Sequence, residues 1–244
     1  MRRPSASLFL ACAALLAAPP AAEARLHRRH APAAPRPVLV ELFTAQGCEG
    51  CPQADLDLAD LARKKGMIAL SFSVDIWDYT GWTDTLAQPE FTQRQQAYVK
   101  RLKLREIYTP EVVVDGAGEA AGSDKEAVAA LIGKTARNRV RGPKIGFASD
   151  GDKVSLGAAR APAQPADVWL IRYDPKPHEV KVKAGDNHGK TVVVTNAVRE
   201  LVKLGQWRGK AKRFDLPDAA SEGQKAVVVV QAPHGGPVIA MMRE

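Results

Sequence analysis

The feature that most constrains this chain is a strand, a turn and a cysteine pair in immediate succession. Val38-Leu-Val-Glu-Leu-Phe43 is an apolar run, Thr44-Ala-Gln-Gly47 a short connection, and Cys48-Glu-Gly-Cys51-Pro52 follows. The run reads as a buried strand, and Pro52 suits the first turn of a helix, where a missing N–H costs nothing. A Cys-x-x-Cys between strand and helix is the sequence form of a dithiol redox site. The helix N-terminus presents unpaired N–H groups and a positive dipole end, which favour the thiolate of Cys48 as attacking sulfur. Cys51 stands close enough to resolve a mixed disulfide. Glu49 puts a negative charge beside Cys48 and works against the dipole.

Two other uses of such a pair must be weighed. Half of a zinc site needs two more ligands at close spacing. The only other cysteine is Cys12, and His178, His188 and His234 are scattered, so no metal is expected. A purely structural bridge is the stronger rival. Closing so small a loop stabilises by only about 2 kcal/mol on the loop-entropy formula, before strain is subtracted.

The start of the chain reads as an address. Arg2 and Arg3 precede an apolar stretch, Ala6 to Ala18, too short to span a bilayer, and Ala22-Glu-Ala24 is an A-x-A cleavage site. Residues 1–24 are thus a predicted signal peptide, and the mature chain is expected to be periplasmic or secreted with no integral membrane span. A lipoprotein reading through Cys12 fits less well, because the apolar run continues past it. Cleavage removes Cys12 and leaves Cys48 and Cys51 as each other's only intramolecular partners in an oxidising compartment. Residues 25–37, basic and Pro-rich without apolar periodicity, read as a solvated linker, with contact to anionic lipid or polymer as the alternative.

The formal net charge is +8, and signal cleavage lowers it by one. Beyond residue 50 the two signs are interspersed, and no aromatic-interleaved basic stripe marks a nucleic-acid partner.

After Pro52, Ala54, Leu58, Leu61 and Ala62 fall at helical spacing, and Gly66 stops the helix. Met67 to Val74 is a second apolar strand, so a parallel β-α-β unit is expected. Asp75 to Trp82 is a loop at the sheet edge where sites form in parallel sheets. There Trp77 and Trp82 either wall a cleft beside the sulfurs or cap the core. Pro89 opens a helix through Leu102. Pro110 heads a strand, Glu111 to Asp115, where a residue without an N–H is tolerated. Asp115-Gly116 turns into a return strand at 119–121. Ser123-Asp-Lys-Glu126 reads as a capping box before a helix with Val128, Leu131 and Ile132 on its apolar face. The expected order is β-α-β-α-β-β-α.

Residues 137 to 143 form a basic connector and an expected domain boundary. Beyond it, short β-prone runs alternate with Gly and Pro turns, which predicts a smaller all-β, sandwich-like domain over 143–244. Val198 to Leu204 fits strand and helix periods equally. Nothing in this half reads as catalytic; His188 reads as a surface-turn residue.

With these motifs in place, residues 38 to 137 resemble the thioredoxin fold. That resemblance implies a buried acid at Glu41, which would take the proton of the resolving cysteine. It also implies a cis-proline at Thr109-Pro110 facing the sulfurs, Pro110 shaping the docking face. Gly47 stands where thioredoxins usually carry an aromatic residue. The mature chain as a whole resembles the DUF1223 family of secreted bacterial proteins. The segments that carry this are Val40 to Pro52, Val74 to Trp82, Tyr108 to Gly116 and Asn196 to Leu201.

The expected activity is thiol–disulfide exchange. Cys48, Cys51, Glu41 and Pro110 are its candidate catalytic residues, and Thr109, Trp77 and Trp82 line the candidate cleft. No cofactor is implied, and the partner is a protein or a small thiol or disulfide. The alternative is a non-enzymatic secreted binding module with a structural Cys48–Cys51 bridge.

Overall fold

The structure is a computed structural model, and it describes residues 36–138, 142–149, 151–218 and 220–244. The expected signal peptide, linker residues 25–35 and connector residues 139–141 lie outside these, as do Asp150 and Ala219. Of the expected linker, Arg36 is held in place: it donates to the Val238 carbonyl at 3.0 Å and pairs with Asp115 at 3.2 Å.

The elements run β1 (Val38–Thr44), α1 (Cys51–Ala62), β2 (Met67–Ser73), a 3-10 turn (Asp78–Thr80), α2 (Pro89–Leu102), β3 (Glu111–Val114), β4 (Gly118–Ala121) and α3 (Lys125–Arg137). Then follow β5 (Ile145–Phe147), β6 (Lys153–Leu156), β7 (Ala166–Asp174), β8 (His178–Lys181), β9 (Thr191–Val194), β10 (Ala197–Trp207), β11 (Lys212–Asp215), β12 (Lys225–Gln231) and β13 (Val238–Arg243). Helix α3 starts one residue later than its sequence suggests. Asp124 is the cap, its carboxylate accepting from the Ala127 N–H at 2.9 Å.

The expected fold class is corrected. An α/β thioredoxin-like domain followed by a separate β-sandwich-like domain does not describe this chain. One mixed, β-rich sheet of eight strands, in the order β13-β12-β7-β10-β2-β1-β3-β4, runs through both halves, and the described residues form one compact unit. The seam lies between β2 and β10, where Ala197 pairs with Ser71. Asn196 fastens it with φ +50° and a 2.8 Å bond from Nδ2 to the Ala69 carbonyl. The Ser71 hydroxyl answers with a 2.8 Å bond to the Thr195 carbonyl. The ambiguous 198–204 stretch is part of long strand β10, which pairs along its length with β7.

The physical reason for one unit is a shared core. On one side, Leu39, Phe43, Leu70 and Phe72 of the first half pack in the same cluster as Ile171, Tyr173, Val227 and Val229 of the second, with Phe91 and Tyr98 of α2. The remaining buried apolar residues form two larger clusters and a small one of Leu86, Val194 and Ala197. Val40, Leu42, Ala54, Leu58, Val128 and Ile132 join α1 and α3 to the sheet. Val154, Leu156 and Phe214, from a small sheet β11-β6-β5, cover Val168, Leu170 and Val228. Neither half could expose its share of the common cluster to water without losing burial at roughly 25 cal/mol per Å². Strands β8 and β9 form a separate hairpin between β7 and β10.

Candidate functional site

Strand β1 delivers the chain to the Cys48 turn, and helix α1 begins at Cys51, with Gly50 as its cap and no side chain satisfying the cap. The turn is tight: the Cys48 N–H donates to the Ala45 carbonyl at 3.1 Å and the Cys51 N–H to the Cys48 carbonyl at 3.2 Å. Cys48 and Cys51 form a disulfide with 5.4 Å between Cα atoms. Both residues are buried, Cys48 at 2% and Cys51 at 0% exposure, whereas Glu49 and Gly50 between them are exposed.

The Thr109–Pro110 peptide bond is cis. Pro110 lies beside the residues between the two cysteines: a Cβ at Gly50 would fall 3.5 Å from Pro110 Cδ. The two candidate cleft tryptophans separate in role. Trp77 packs on the core cluster that includes both cysteines and donates its indole N–H to Thr109 Oγ1 at 2.6 Å. Its ring is stacked under Tyr79, an 81% exposed aromatic, with centroids 6.1 Å apart. Trp82 instead donates to Gln46 Oε1 at 2.9 Å, bracing the residues that precede Cys48. Asp84 helps, accepting from the Gln46 N–H at 2.7 Å, and burial raises its pKa.

Glu41 is fully buried, but its partners lie on α2. It accepts from Arg94 Nε at 2.6 Å and from the Tyr98 hydroxyl at 2.5 Å. Arg94 also sits 5.6 Å from the Trp169 ring centroid and donates to Gln231, so this ion pair ties the two halves together.

A second buried acid, which the sequence reading passed over, stands on α1 itself. Asp55 is one turn beyond Cys51, at the i+4 spacing that places two side chains on one helix face. It is 2% exposed, and Thr44 Oγ1 donates to its Oδ2 at 2.8 Å while Oδ1 has no hydrogen-bond partner. Burial pushes its pKa up to about 8, against a smaller opposing pull from the Thr44 hydroxyl; the Asp84 charge adds to the rise and the Ser71 hydroxyl subtracts from it. The signal was present in the sequence, because Asp55 falls on the stripe marked by Ala54 and Leu58.

The second half also contributes. Asn187, at the tip of the β8–β9 hairpin, is fully buried and donates both amide hydrogens, to the Gln46 carbonyl at 2.9 Å and the Cys48 carbonyl at 2.7 Å. No local pattern announces it; it is one polar residue in a Gly- and Lys-containing turn. His188 beside it is exposed. Among the described residues, no group of three or more His, Cys, Asp or Glu is placed to hold a metal ion, and no helix is long and apolar enough to cross a membrane.

A family model described as "Protein of unknown function (DUF1223)" matches residues 39–231, both halves and the seam included. The chain belongs to the DUF1223 family. Among solved structures, this DUF1223 chain is similar to protein AGR_C_4864 from Agrobacterium tumefaciens. They share 27% identity at a TM-score of 0.70, over 84% of this chain and 92% of that one. HBP35 of Porphyromonas gingivalis is similar in fold at 14% identity and a TM-score of 0.56, over 86% of this chain and 74% of that one. No curated protein matches.

Proposed function

We propose that the DUF1223 chain is an exported thiol–disulfide oxidoreductase working through Cys48 and Cys51. The observation that carries this reading is Asp55: a buried carboxyl one turn from Cys51, with an oxygen left without a partner. A bridge that only staples a loop has no use for it, and an unpaired buried acid costs stability. A dithiol that cycles does have a use for it. A partner thiolate attacks Cys48 Sγ, the Cys48–Cys51 bond breaks, and its electron pair leaves on Cys51. With a pKa of about 8, Asp55 carries a proton at neutral pH and hands it to that sulfur. A second partner thiolate then attacks the partner sulfur of the mixed disulfide and releases Cys48 as a thiolate. The partner is oxidised by two electrons and the protein reduced; the reverse sequence returns the proton to Asp55. Glu41, held by Arg94 and Tyr98, serves the fold in this scheme, and Pro110 with Thr109 and Trp77 shapes the face beside the pair. The signal peptide expected from the sequence at residues 1–24 would place this work in an oxidising compartment.

One observation favours a second reading, a permanent staple in a binding module: both cysteines are buried. Thiol trapping of the mature protein across a glutathione series separates the two. An oxidoreductase gives a potential between about −120 and −270 mV, and Cys51→Ser accumulates mixed disulfides on Cys48. A potential below about −300 mV, with no turnover of a model disulfide, overturns the proposal.

A further inference from the structure

We infer that the β8–β9 hairpin is the gate of the Cys48–Cys51 pair and that Asn187 is the latch that positions Cys48 behind it. The inference builds on the redox reading above, and its test is independent of that reading's fate. A partner sulfur must approach Cys48 in line with the disulfide, yet Cys48 is 2% exposed. The hairpin tip, residues 182–190, is the segment of the second half that meets the cysteine turn. Its own backbone is closed on itself: Val182 N–H bonds to Lys190 at 3.0 Å, Gly189 N–H to Val182 at 2.9 Å and His188 N–H to Gly185 at 3.0 Å. A loop satisfied internally in this way can move as a unit without stranding its polar groups. Strands β8 and β9 pair with each other and belong to neither larger sheet.

The stem of the hairpin is fixed, with β9 packed against α1 and Val192 and Val194 buried, and Val182 is buried at the base of the tip. The polar ties of the tip itself are few. Asn187 gives both amide hydrogens to carbonyls of the cysteine turn, at 2.9 and 2.7 Å, and its own oxygen accepts from Lys190 Nζ at 3.1 Å. Gly185 makes the close approach beside it. Its φ is +72°, and a Cβ there would come within 2.9 Å of Thr80 Oγ1 and 3.7 Å of Gly47 Cα. The two Asn187 bonds end on Gln46 and Cys48, so the latch also fixes the backbone from which the attacked sulfur projects. A buried amide with every hydrogen used is costly to open and specific when closed. Opening moves the tip away, frees the two carbonyls to water and uncovers Cys48.

The test is the rate at which excess dithiothreitol reduces the oxidised mature protein under native conditions. It requires no natural partner and no catalytic turnover. Asn187→Ala is expected to be reduced at least about tenfold faster than wild type, the equivalent of one net hydrogen bond lost from the closed state. Gly185→Ala, which wedges the tip against Thr80, is expected to accelerate reduction in the same direction. A purely structural Asn187 predicts a different pattern: a lower denaturation midpoint with an unchanged native reduction rate, and that pattern overturns the gate. Should Asn187→Ala not fold, the denaturant dependence of the wild-type reduction rate decides. A gate requires the disulfide to be reduced through an opening whose free energy lies well below global unfolding, with little denaturant dependence. Reduction only through global unfolding overturns it. Faster reduction combined with a staple-like potential keeps the gate and rejects the oxidoreductase; an unchanged rate with a catalytic potential does the opposite.

Discussion

Two buried carboxyl groups, Glu41 and Asp55, make opposite use of the same sheet. Glu41 is enclosed by Arg94, Tyr98 and, through Arg94, Gln231. Asp55 has the Thr44 hydroxyl on one oxygen and the Ser71 hydroxyl nearby, no cation beside it, and its Oδ1 makes no hydrogen bond. Burial is equal, so the difference lies in compensation. A paired ion is a fixed structural charge, whereas an uncompensated acid yields by keeping its proton. The candidate site therefore sits with the poorly satisfied acid, and the well-satisfied one joins the halves.

The comparison breaks most visibly at Glu41. Glu41→Ala leaves the Arg94 guanidinium buried without its counter-ion and is expected to cost about 3–5 kcal/mol, read from the denaturant midpoint. A loss below about 1 kcal/mol would show that the pair is not the clamp described.

Asp55 should respond to pH instead. Its carboxyl ionises near 3.8 in the unfolded chain and near 8 in the fold. Between those values the folded state holds the extra proton, so this contribution is full below pH 4 and is lost as pH rises towards 8. The slope reaches about 1.4 kcal/mol per pH unit. Glu111, raised by burial to about 7, adds a slope of the same sign. Asp55→Asn is expected to flatten the stability profile across pH 4–8, leaving the parts due to Glu111 and Asp84, whose pKa burial also raises, and to slow thiol–disulfide exchange by about 100-fold. An unchanged profile, measured by thermal unfolding in matched buffers, would move the titrating acid elsewhere.

The smallest effect sharpens the contrast. Thr44→Val removes the hydroxyl bond to Asp55 at a cost of about 1 kcal/mol, and raises the pKa of Asp55 further, because that bond lowers it. An infrared titration of the carboxyl would record the shift.

Much of the first half was legible. Apolar periods, Pro52, the Asp115-Gly116 turn and the cysteine spacing are local signals, and the order β-α-β-α-β-β-α follows from them. The separate second domain was a misreading with an identifiable cause. Short strands with Gly and Pro turns specify strands, but they do not say which edge those strands join. Asn196 and Ala197 decide that, by meeting Ser71 and Ala69 across more than 120 positions. Of the site, the cysteines announce themselves. Asp55 was visible as an acid on an apolar stripe, and Asn187 carried no signal at all.

The sequence by itself determined the elements of the first half and the dithiol pair, because these depend on neighbours within a turn or two of the chain. The tertiary structure alone decided three things: that both halves share one sheet, that Glu41 is ion-paired while Asp55 is not, and that a distant hairpin bonds through Asn187 to the Gln46 and Cys48 carbonyls. Each depends on which groups meet after the chain has folded. A buried polar atom has the same formula wherever it sits, and only its surroundings determine whether it is satisfied, titrates or latches.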